Sequence, residues 1–284
     1  MARWTIDQPT TRTLDGIVSL RIRIIGGHVN ILPTDDPVTF EVSDIVGDPV
    51  LVTQEAGILT VTYDDLTRSG LLDRLKPVQL KGYKDVGRRS ATISLRIPRD
   101  CPVEVTTVSA SIVAAGLTGK ARLRTATGDI TVDGLTGSTD VNTVSAGLDA
   151  RATGGSLHFN SISGDLALAG GRLSDFAAKT GSGRLLADVD LAPAARVSFA
   201  SVSGSVALRI PAESSATAEL RSATGTLDSG FGLDRRDLPG RSHLSGKIGS
   251  GVDPAAISAT TVSGAVSLLR RDPDAPAAIP RGDA

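Results

Sequence analysis

The chain is short of the residues that anchor an ordinary core: one Trp, two Tyr and five Phe among 284 residues. Large rings bury the most area per side chain, so this core must be assembled from Val, Ile, Leu and Ala. Such a core suits thin, regular layers better than a thick globule. A single Cys excludes an internal disulfide and fits a reducing compartment. The three His stand at no metal-ligand spacing from one another or from the Cys, so neither a metal nor a cofactor is expected. No apolar run approaches the ~20 residues that span a bilayer. No apolar stretch follows Met1-Ala2-Arg3-Trp4 as a signal peptide would require, so the expected location is the cytoplasm. A net charge of -1 leaves no polyelectrolyte. Nucleic-acid binding is not expected, because charge and stacking aromatics are both scarce.

Glycine, at 31 residues, is plentiful, and seven of them fall at one position of a repeat. Its frame is Ser or Thr, apolar, Ser or Thr, Gly or Ala, any residue, aliphatic. Copies begin at Thr107, Thr125, Thr143, Ser161, Thr180, Ser201, Ser222, His243 and Thr261. The Gly/Ala positions are 110, 128, 146, 164, 183, 204, 225, 246 and 264, with steps of 18, 18, 18, 19, 21, 21, 21 and 18. His243 is the one departure from the hydroxyl at the first position. A period this short excludes helix-pair repeats, and the leucine-rich frame is missing. The pattern predicts an all-β, parallel β-solenoid of about nine turns of 18–21 residues, right-handed by default.

Parity supports the coil, because side chains alternate faces along a strand. Leu157 and Phe159 are odd-numbered; Ile162, Leu166 and Leu168 are even-numbered. The inward face therefore changes parity between Phe159 and Ile162, which requires a bend. Each turn is expected to hold two strands meeting at a Ser/Thr-lined corner. Paired hydroxyls at β-helix spacing resemble ice-binding arrays. Their mixed Ser/Thr character and corner position point instead to a structural ladder, bonded between turns.

Residues 1–104 also read as strands, with Val18, Leu20, Ile22 and Ile24 alternating, but without the strict step. They are expected to form an irregular β cap continuous with the solenoid of residues 105–271, followed by a disordered tail, 272–284. Between Asp64 and Ser90 the strand pattern breaks, and a short helix over 69–76 is expected. This stretch carries Arg68, Arg74, Lys76, Lys81, Lys84, Arg88 and Arg89 beside Leu71, Leu72 and Leu75. It is the candidate contact, through Arg68, Leu71, Leu72, Arg74, Lys76, Lys81, Lys84, Arg88 and Arg89, with an anionic membrane or an acidic partner.

The corner Ser201-Val202-Ser203-Gly204-Ser205-Val206, and the strand Ile93-Ser94-Leu95-Arg96-Ile97-Pro98 leading into Val103-Glu104-Val105-Thr106, resemble the bacterial DUF4097 family. Its members are also described as candidate adhesins and as the toast-rack domain. The resemblance runs from about Asp15 to Arg271. It implies a β-repeat fold and ties to envelope stress or adhesion, and it transfers no catalytic residue.

Chemistry in the residues themselves is sparse. No Gly-x-Ser-x-Gly, phosphate loop or dinucleotide fingerprint is present. Lys179-Thr180-Gly181 matches one β-lactamase triplet without its Ser-x-x-Lys and falls inside the repeat. Asp129, Asp133, Asp149 and Asp165 recur along the turns, and paired carboxylates can cleave polysaccharides. An Asp after Gly is also an ordinary solvated corner. Cys101 before Pro102 reads as a buried, inert thiol, and Arg281-Gly282-Asp283 as a coincidence in the tail. The reading is a non-enzymatic scaffold or binding protein with an unidentified protein partner. The alternative is a polysaccharide-acting enzyme that uses the coil carboxylates.

Overall fold

The computed structural model describes residues 2–67 and 89–272. They form two compact units, one up to Thr131 and one from Val132. The fold is all-β and solenoid-like, with a single four-residue helix, α1 (Asp64–Thr67), among the described residues. The expected helix over 69–76 and the tail beyond Asp272 lie outside the described residues.

The first unit contains β1 (Ala2–Ile6), β2 (Thr10–Leu14), β3 (Ser19–Arg23), β4 (Gly26–Pro33), β5 (Val38–Val46) and β6 (Val50–Glu55). These are followed by β7 (Ile58–Thr62), β8 (Ser90–Ile97), β9 (Val103–Thr106), β10 (Ser111–Ala115) and β11 (Ala121–Thr125). A further strand, β12 (Ile130–Asp133), straddles the division. One face runs β1–β6–β7–β3–β9–β11. The other runs β2–β5–β8–β4–β10. Strands β3, β7, β9 and β11 pair in parallel, as coils should, while β1, β2, β5 and β6 pair antiparallel. The repeat predicts a purely parallel sheet. The antiparallel strands correct it: β6 and β7 are joined by the tight turn Ala56-Gly57, with positive φ at both residues, while β1–β6, β2–β5 and β5–β8 pair strands distant in the chain.

The second unit contains β13 (Ser138–Thr143), β14 (Leu148–Arg151), β15 (Gly155–Ser161), β16 (Leu166–Thr180), β17 (Leu185–Ser201) and β18 (Val206–Pro211). After these come β19 (Ala216–Ser222), β20 (Leu227–Ser229), β21 (Asp234–Leu238), β22 (Arg241–Ile248), β23 (Ala255–Thr261) and β24 (Val266–Arg271). Its first face runs β13–β15–β16–β17–β23–β19–β22–β21, and its second β14–β16–β17–β18–β24–β20. The coils therefore do not stack in chain order. The last coil, β23–β24, is inserted between the coil of β17–β18 and the earlier coil of β19–β20. The eighth copy of the repeat, at His243, is no coil at all. It is β22, antiparallel to β19, and Gly246 faces Leu233 rather than a neighbouring corner.

The corner geometry explains the repeat. The first hydroxyl accepts the Gly N–H three residues on: 2.7 Å at Ser161, 3.0 Å at Thr180, 2.8 Å at Ser201 and Ser222, 2.9 Å at Thr261. The second hydroxyl donates to the carbonyl of the adjacent coil, as Ser163 to Val144 (3.4 Å), Ser203 to Gly181 (3.4 Å), Ser263 to Val202 (3.3 Å) and Thr224 to Val262 (3.2 Å). The glycines stack carbonyl to Cα in the order 164, 183, 204, 264, 225. A Cβ on any of the last four would lie about 2 Å from the preceding glycine's carbonyl oxygen. The parity change is present, with Leu157, Phe159, Leu166 and Leu168 inward. The bend, however, lies after Ser161, and the apolar second position points out: Ile162 is 65% exposed and Val202 57%. The inward place expected for Ile162 is thus corrected. The first hydroxyl, not the aliphatic, continues the inward row, because its oxygen is needed for the glycine N–H.

Candidate functional site

Of the stretch singled out by its charge, Arg68, Leu71, Leu72, Arg74, Lys76, Lys81, Lys84 and Arg88 lie outside the described residues. Arg89 is described, and its guanidinium is folded inward. It pairs with Asp48 (2.8 Å) and Asp65 (2.9 Å), and lies 5.6 Å from the centre of the Tyr63 ring. Burial pushes the Tyr63 phenol up to about 12; Arg89 opposes this, and the charges of Asp48 and Asp65 add to it. Beside this cluster is an open depression of about 460 Å³ lined by Arg3, Thr5, Asp48, Pro49, Leu51, Asp64 and Asp65.

The recurrent carboxylates are all on the outside of their coils. Asp165 is held by Arg184, whose backbone N–H donates at 2.7 Å and whose side chain donates at 3.3 and 3.4 Å. His158 sits between Asp140 (3.3 Å) and Asp175 (3.4 Å) on consecutive coils, but among the described residues no three His, Cys, Asp or Glu are placed to hold a metal. Cys101 is 3% exposed, and burial, with the nearby Asp100 charge, pushes its thiol up to about 11. The corner hydroxyls, being bonded within and between coils, are not an ice-binding array.

What the charge count missed is the first face of the N-terminal unit. Its register lays two rows of non-core positions across six strands, exposed or half-buried except at Leu51 and Thr62, which are buried. One reads Arg3, Thr53, Thr60, Arg21, Glu104, Arg122. The next reads Thr5, Leu51, Thr62, Arg23, Thr106, Arg124. Four arginines thus flank Glu104, while Arg3, at the far edge, pairs with Asp64 at 3.0 Å. Glu104 holds Arg21 at 3.3 Å on one side and reaches Arg124 at 3.7 Å on the other. Outward rows of the opposite face, Asp44–Thr92–His28–Ser111 and Thr11–Glu41–Ser94–Asn30–Val113, carry carboxylates and no arginine. A signal existed in the sequence: Arg21-Ile22-Arg23 and Arg122-Leu123-Arg124 both place an inward aliphatic between two outward arginines. The hundred residues between them hid their proximity.

A family model described as Toastrack DUF4097 matches residues 34–269. The chain belongs to the Toastrack family. Solved structures are also similar to this Toastrack protein, each at low identity. A candidate cell adhesion protein from Clostridium sporogenes is 11% identical, with 93% of this chain and 99% of that one covered and a TM-score of 0.30. A candidate adhesin from Bacteroides fragilis is 10% identical, covering 93% and 98%, with a TM-score of 0.48. A candidate adhesin from Parabacteroides distasonis is 10% identical, covering 92% and 96%, with a TM-score of 0.32. No curated protein matches the chain.

Proposed function

We propose that this Toastrack protein is a non-enzymatic scaffold or binding protein that presents the outer faces of its coils to a partner, in adhesion or in envelope-stress signalling. The observation that carries the reading is the double use of the corner hydroxyls. One locks each corner and the other ties it to the next coil, so outward side chains are held in fixed rows. A surface fixed in this way binds without an ordering cost at its backbone. The basic stretch from Arg68 to Arg88 is its proposed point of contact with an anionic membrane at the cytoplasmic side, Arg89 being held inward by Asp48 and Asp65.

Two measurements test this. Flotation with anionic vesicles should retain the protein at low salt, and Arg74→Glu with Lys76→Glu should release it; no retention of the parent protein ends the membrane contact. Incubation with a panel of polysaccharides should release no reducing ends. Release that is abolished by Asp129→Asn or Asp165→Asn would establish the enzyme instead.

A further inference from the structure

We infer that the first face of the N-terminal unit binds a linear polysaccharide bearing carboxylates, with Arg21, Arg23, Arg122 and Arg124 as its charge-reading residues. The inference rests on the reading of the protein as a binding scaffold and names the ligand class of one face.

Charge complementarity carries it first. On an ordinary solvated sheet face, charges of both signs alternate; here Arg21, Arg23, Arg122 and Arg124 flank one glutamate, whereas the corresponding rows of the opposite face carry Glu41 and Asp44, so the basic character is no general property of the unit. Glu104 offsets only part of the patch. It sits in the strand between two arginine pairs and contacts one arginine from each, so one carboxylate holds both pairs in place. Among the described residues Arg23 contacts no carboxylate. The Arg23 and Arg124 guanidiniums, in one row with Thr106 between them, are thus presented outward.

The form of the patch selects the ligand. Neighbouring strands are ~4.8 Å apart and alternate residues along a strand ~6.8 Å apart, so the four arginines form a flat grid. Planar guanidinium forks match carboxylates in two-point hydrogen bonds. The half-buried hydroxyls of Thr53, Thr60 and Thr106 lie in the same rows and supply the donors and acceptors that sugar hydroxyls require. Neither row carries an aromatic ring on which a nucleobase could stack. The one large apolar side chain in the two rows, Leu51, is buried, so nothing projects into a bilayer. A regularly charged, hydroxyl-rich linear polymer meets all of these conditions.

The test uses the full-length protein and polygalacturonate fragments, with neutral dextran, a single-stranded DNA and phosphatidylglycerol vesicles as comparisons. Binding to polygalacturonate should be saturable and weaken as salt rises, and dextran should not bind. Arg23→Glu should weaken binding by tenfold or more. Glu104→Gln should strengthen it several-fold, a change in the opposite direction that a misfolded variant cannot produce. Tighter binding to DNA or to vesicles than to polygalacturonate would overturn the inference, as would parent-like affinity in both variants. Failure here leaves the scaffold reading intact; only release of reducing ends from the polymer would remove that as well.

Discussion

At Gly183 a neighbouring carbonyl occupies the place of a side chain: a Cβ there would lie 2.0 Å from the Gly164 oxygen. Gly183→Ala must therefore push two coils apart and should cost about 3 kcal/mol in urea unfolding. At Gly232 no atom lies within 4 Å of the place a Cβ would take, and Gly232→Ala should leave the midpoint unchanged. Ser201→Ala removes the acceptor of the Gly204 N–H and should cost about 1–2 kcal/mol, the penalty for an unpaired buried donor. Cys101 gives a pH test. Its thiol pKa is raised from 9.0 to about 11 in the folded chain. The folded state then holds the proton more tightly than the unfolded state. The group's contribution to stability is full below pH 9 and is lost as pH rises through about 11. Cys101→Ala should remove that alkaline loss, and a thiol reagent at pH 8 should modify Cys101 only after unfolding. Modification of the folded protein at the rate of a free thiol would contradict the burial.

At the scale of elements, the inserted coil is decisive. Strands β23 and β24 have parallel neighbours on both sides, although they are the last strands in the chain. Asp188 clamps this coil to a central one. It accepts Arg209 at 2.5 Å and Arg271, from the end of β24, at 2.8 Å, and its side chain is only 10% exposed. Arg271 keeps a second carboxylate, Asp190, but the largely buried Arg209 loses its partner in Asp188→Asn, which should cost on the order of 3 kcal/mol. Hydrogen exchange should find the amides of β23 protected like those of β17, and the outermost β21 fast. Fast exchange in β23 would mean that the coils stack in chain order after all. The charged strand β21, Asp234-Arg235-Arg236-Asp237, is also the natural end of such a face, because charges there discourage further pairing.

At the scale of the molecule, the insertion makes the C-terminal unit dependent on its last residues. Without 255–271, the coil of β19–β20 loses the neighbour that carries both of its parallel ladders. A chain ending at Gly251 should therefore lose the cooperative unfolding of the whole unit rather than one coil's share of stability. An unchanged midpoint would show that β19–β20 can close onto β17–β18 directly. The same long-range assembly produces the arginine grid. Its members come from β3 and β11, and only the parallel stacking of coils on β9 gathers them.

The sequence alone determined the local rules of this protein. Alternation assigned Leu20, Ile22 and Phe159 to the core, and all are buried, whereas Val18, in the same alternation, precedes β3 and is 64% exposed. The period located the corners, since a hydroxyl three residues before a glycine specifies that bend by itself. The scarcity of aromatics followed from the same cause, a coil too thin to hold many; Phe176 and Phe199 meet edge to face at 5.0 Å in adjacent coils. The order of the coils was left to the tertiary structure. Coils built on one motif offer nearly identical edges, so the motif cannot say which edge meets which. Buried pairings far apart in the chain, such as Asp188 with Arg271, favour one order. The His243 copy shows the limit most plainly: it satisfies the spacing, yet the turn before it reverses the chain and makes it an antiparallel strand.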